Sequence, residues 1–71
     1  MDANGAPQPD KIQNQADEVV DKFPDASLES LAGDLVADAM NHKETAATAL
    51  ALAVELRMRA AAGVRKWPAQ R

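Results

Sequence analysis

The side chains able to do chemistry in this 71-residue chain are carboxylates, cations, one imidazole and one indole, with no cysteine among them. Asp17 with Asp21, and Asp34 with Asp38, stand four residues apart, so a helix would put each pair on one face. Carboxylates paired in this way can hold a divalent cation or exchange protons with a substrate. Both roles need a pocket or an apolar surround, and so short a chain builds little of either; the pairs are expected to be solvated helix faces. His42 has no second imidazole or thiolate to join it and is expected to do no more than sit at a helix end. No metal and no cofactor is expected. The sequence also lacks a glycine-rich phosphate loop and a Ser-His-Asp set, so the chain is not expected to be an enzyme.

Basic charge and an aromatic ring meet only at Arg65, Lys66 and Trp67, with Arg71 close behind. Cations could contact phosphates there while the indole stacks on a base, which makes these four residues the candidate anion or nucleic-acid contact. A handful of charges on a short tail gives a weak, salt-sensitive contact, however. The favoured expectation is a solvated helix end whose cations suit the negative pole of the helix dipole, with Trp67 folding back as a lid on the core.

The charge distribution supports that preference. All 11 acids lie in residues 1–55, where only Lys11, Lys22 and Lys43 oppose them, whereas residues 56–71 carry Arg57, Arg59, Arg65, Lys66 and Arg71 and no acid. An acidic body with a basic end can guide head-to-tail or subunit pairing, and it argues against a protein that binds nucleic acid over its whole surface. Residues 1–9 have neither the basic start nor the apolar run of an export signal, and the uncharged stretch 45–54 is too short to span a bilayer. The expectation is a cytoplasmic protein with no membrane contact.

Hydrophobic residues make up 46% of the chain, but 16 of those 33 are alanine, leaving a thin supply of large apolar side chains for a core. Chains of this size come out near zero when burial is set against conformational entropy, so some further source of stability is needed, and without cysteine it is not a disulfide.

The elements follow from spacing. Residues 1–9, punctuated by Pro and Gly, are expected to be a disordered arm. Asp10 with Gln13 forms a capping-box pattern ahead of Ile12, Ala16, Val19 and Phe23, with Val20 on the flank, and Pro24 should end this first helix. Asp25 or Ser27 should cap a second helix whose stripe is Leu28, Leu31, Ala32, Leu35, Val36, Ala39 and Met40. Gly33, on the border of that stripe, hints at a close helix contact. Asn41 to Glu44 is the expected break, with Asn41 as cap of a third helix over roughly 42–62; one uninterrupted helix over 26–62 is the alternative. Gly63 is placed for a left-handed cap.

The third helix is apolar around most of its girth. Leu50, Val54, Met58, Ala47 and Ala61 fall on one side and Leu52, Leu56, Ala49 and Ala60 on another, leaving a polar strip of Glu44, Thr48, Glu55 and Arg59 in which Glu55 and Arg59 can pair across one turn. Arg57 interrupts the apolar arc, either lying along the surface with a wet head or pairing with Asp34 or Asp38 of another subunit. Together these patterns predict an all-α three-helix bundle over 10–64, in which helices 2 and 3 form an antiparallel hairpin crossed by helix 1. A basic tail follows over 65–71. The excess apolar face predicts a non-enzymatic protein-interaction module, an adaptor, inhibitor, accessory subunit or regulator. A homodimer through the third helix is expected, or docking of that helix on another protein, with Leu52, Leu56 and Met58 as anchors and Arg57 and Arg59 giving orientation. The alternatives are a nucleic-acid-associated regulator using the basic end, and an acidic mimic that fills a basic site on a target.

Overall fold

The computed structural model describes residues 9–68, in which α1 (Pro9–Lys22), α2 (Leu28–Asn41), a 3-10 turn (Lys43–Thr45) and α3 (Ala46–Ala62) follow one another. All regular structure among the described residues is helical, and no helix there is long and apolar enough to cross a membrane. The arm expected over 1–9 lies outside the described residues except for Pro9, which opens α1 at a position where proline's missing N–H is not needed. Asp10 therefore sits within the first turn, where its charge suits the dipole, and is not the cap.

The chain reverses after α1 with the Phe23 N–H bonded to the Val19 carbonyl (3.1 Å) and the Ala26 N–H to the Phe23 carbonyl (3.2 Å). Of the two candidate caps for α2 it is Ser27 that serves, its hydroxyl accepting the Ser30 N–H at 3.0 Å. His42 breaks the path with extended backbone (φ −134°, ψ 97°), which excludes one continuous helix over 26–62. Asn41 is the last residue of α2 and its side-chain amide donates to the Ala37 carbonyl at 3.0 Å, so it does not cap α3. At the far end Gly63 takes a left-handed conformation (φ 77°). There its N–H bonds to the Ala60 carbonyl and the Val64 N–H to the Arg59 carbonyl, the paired bonds of a Schellman cap.

α3 is the central element: it packs extensively on α2 and less on α1, which have little backbone contact with each other. Arg65, just beyond α3, reaches the carbonyl of Ala26, just before α2, so these two helices run antiparallel. The core joins Ile12, Ala16 and Val20 of α1, Leu28, Leu31 and Ala32 of α2, and Leu52, Ala53 and Leu56 of α3. On α1 the buried row passes through Val20, so Val19 is half-buried and Phe23, at the end of the helix, stays 52% exposed. Met40 lies outside the stripe of α2 at 80% exposed. Gly33 marks no close helix contact, since a Cβ added there would meet nothing within 4 Å.

Candidate functional site

α3 is divided along its length into two sides: one buries Glu55 and Arg59 beside the apolar Ala49, Leu52, Ala53 and Leu56, and the other is exposed. Arg59, expected on a polar surface strip, is 1% exposed. Its Nε donates to Glu55 Oε2 (2.8 Å), one terminal nitrogen to Asp17 Oδ1 (2.8 Å) and to the Arg65 carbonyl (2.8 Å), and the other to the Gln13 carbonyl (3.2 Å). Glu55, also buried, accepts a second bond at the same Oε2 from the indole N–H of Trp67. A buried guanidinium is tolerable only when its donors are matched in this way. No buried side-chain polar atom among the described residues lacks a partner.

The basic segment after α3 is thereby folded into the molecule. Arg65 donates to the carbonyls of Ala26 (2.8 Å) and Phe23 (3.1 Å), clamping the turn between α1 and α2. Lys66 Nζ lies 3.2 Å and 3.3 Å from the two oxygens of Asp21. The pair Asp17 and Asp21, read from spacing as a solvated face, is the surface on which Arg59 and Lys66 land. The expectation that Trp67 folds back is matched by its half-buried ring and its bond to Glu55. Of the candidate anion contacts, Arg65, Lys66 and Trp67 are thus engaged within the chain, and Arg71 lies outside the described residues. A cavity of about 280 Å³ beside this hub is lined by Gln13, Asn14, Asp17, Arg59, Trp67 and Pro68.

The opposite side of α3 is apolar and open. Leu50, Val54 and Met58 are 46%, 57% and 54% exposed, and Ala47, Ala61 and Ala62 are exposed with them. Arg57 is the one charged residue on this face, and it forms no salt bridge among the described residues. The anchors expected from the sequence need correction here: Leu52 and Leu56 are 7% and 0% exposed and belong to the core, where they meet α1 and α2. Arg59 cannot orient a partner because it is the centre of the buried network. Of the five residues expected at a contact surface, Met58 and Arg57 lie on the exposed face of α3, beside Leu50 and Val54. The wheel already groups Leu50, Val54 and Met58 on one side, but both apolar faces carry leucine, so residue type does not distinguish the face that α1 and α2 cover.

The remaining reactive groups are not assembled. Asp38 pairs with His42 across one turn at 3.0 Å with both side chains exposed, while Asp34 makes no salt bridge among the described residues. No group of three or more metal-ligating side chains occurs there either. No family model matches the chain, and comparison with curated proteins and with solved structures likewise gives no match.

Proposed function

We propose that this chain is a non-enzymatic protein-interaction module of the adaptor, inhibitor, accessory-subunit or regulator kind, that it works in the cytoplasm, and that it self-associates through the open face of α3. The observation that carries this is the row Leu50, Val54 and Met58, about half exposed along more than two turns of the central helix. Single exposed apolar residues are ordinary, but a contiguous row on one helix face is what a partner covers. The core is small, with alanine at three of its nine positions, so association also adds apolar burial. The nucleic-acid alternative gains nothing from the geometry, since Arg65 and Lys66 are bonded to acceptors of this same chain.

Sedimentation across a concentration series tests the proposal, with Val54→Lys as the probe. The wild type should associate, and Val54→Lys should remain a monomer with an unchanged circular dichroism spectrum. A wild type that stays monomeric throughout, or a Val54→Lys variant that associates as the wild type does, would overturn it. Leu52→Glu is the wrong probe, because a charge there enters the core.

A further inference from the structure

A second apolar surface lies away from α3. Val19 and Phe23 of α1, Ala26 of the turn, and Leu31, Asp34 and Leu35 of α2 line a cleft of about 260 Å³, with no α3 residue in its wall. That volume falls below the ~300–1,000 Å³ of small-molecule pockets and suits a few inserted side chains better than a metabolite. Phe23, though the chain's only phenylalanine, is half exposed at this cleft and contributes to no buried cluster.

The two surfaces complement each other in charge as well as in polarity. The α3 face is apolar apart from one cation, Arg57, and the cleft is apolar apart from one anion, Asp34. Neither forms a salt bridge within the chain among the described residues. We infer that the α3 face of one copy docks into the cleft between α1 and α2 of a second copy, with Arg57 paired to Asp34 across the contact. This rests on the α3 face being the contact surface and adds what it docks against. Arg57 suits the role because a guanidinium at the edge of an apolar contact can form a directed ion pair while its stem packs on the neighbouring side chains. Two different patches meeting in this way make a heterologous contact. Each copy then keeps one unused ridge or cleft, so assembly continues past the dimer unless it closes into a ring.

Complementation distinguishes this from a symmetric ridge-to-ridge dimer. Phe23→Lys blocks the cleft without touching the core, and Val54→Lys blocks the ridge. Each variant alone should be monomeric by sedimentation, and an equimolar mixture should form a one-to-one pair that grows no further, since only one intact ridge and one intact cleft remain. Arg57→Asp should weaken wild-type association about tenfold or more, and adding Asp34→Arg in the same chain should restore most of it, because reversing both charges recreates the pair. If Phe23→Lys associates as the wild type does while Val54→Lys does not, the cleft is not the docking site and the inference fails, although the α3 face stands as the contact surface. If Val54→Lys also associates normally, the proposed function fails with it. A mixture that stays monomeric, or a charge exchange that rescues nothing, also overturns the docking of α3 into the cleft.

Discussion

The two sides of α3 differ in what they bury: one takes two charged residues into the interior beside Leu52 and Leu56, and the other leaves an apolar row in the open. One side carries Glu55 and Arg59 and is buried, while the other carries Leu50, Val54 and Met58 and is open. The difference comes from what each side is offered. The polar side faces segments that supply matched acceptors, namely the carbonyls of Gln13 and Arg65 and the carboxylate of Asp17. No other segment among the described residues covers the open side. The buried side chains among the described residues follow hydropathy except at Glu55 and Arg59, where the supply of matched partners decides burial.

The strongest way to break this contrast is Arg59→Ala. It leaves Glu55 buried without its cation and frees the carbonyls of Gln13 and Arg65, so stability should fall by about 3–5 kcal/mol, as measured by urea unfolding followed by circular dichroism. Domains of this kind have about 5–15 kcal/mol in total, so the variant should be close to unfolding at ambient temperature. A loss below about 1 kcal/mol would mean that the guanidinium is not structural. Trp67→Phe keeps an aromatic ring over the hub but removes the N–H donated to Glu55, and should cost about 1–2 kcal/mol in the same assay.

Gly33→Ala lies on neither side and calibrates an open helix surface. With no atom near the added Cβ, it should raise stability by up to about 1 kcal/mol, seen as a higher midpoint of unfolding. Val54→Ser tests the open side directly and should change monomer stability by about 0.5 kcal/mol or less, because the side chain it removes contributes to no core contact. A cost as large as that of Trp67→Phe would show that the ridge is already packed within the monomer.

The local elements were legible because their signals are local. Ser27 caps α2, Gly63 ends α3, and the chain breaks near His42, each through backbone needs that a few neighbouring residues reveal. The antiparallel hairpin of α2 and α3 followed from the short link between them. The pairing of Glu55 with Arg59 across one turn was also readable, but its burial was not. A helical wheel assigns a strip to water or core by residue type, whereas the surroundings of Arg59 come from residue 13 on one side of the sequence and residue 65 on the other. One signal did point there: the acids of α1 and the basic end of the chain are complementary, and Asp17 with Arg59 and Asp21 with Lys66 meet that complementarity inside the molecule. The misassigned anchors Leu52 and Leu56 share this cause, since two apolar faces on one helix look alike until the neighbours have chosen one.

The bonds made by Arg59 also bear on how the chain folds. The hairpin of α2 and α3 can close through contacts that are near in sequence, the kind that form fastest. Yet the hairpin alone leaves Arg59 short of acceptors that arrive only when α1 docks from one direction and the segment around Arg65 from the other. The guanidinium therefore acts as a coincidence detector for the fold. Opening either flank disturbs the same group, so amide protons at the two flanks should exchange together as one cooperative unit, with the sequence-distant ends of the domain sharing a single stability.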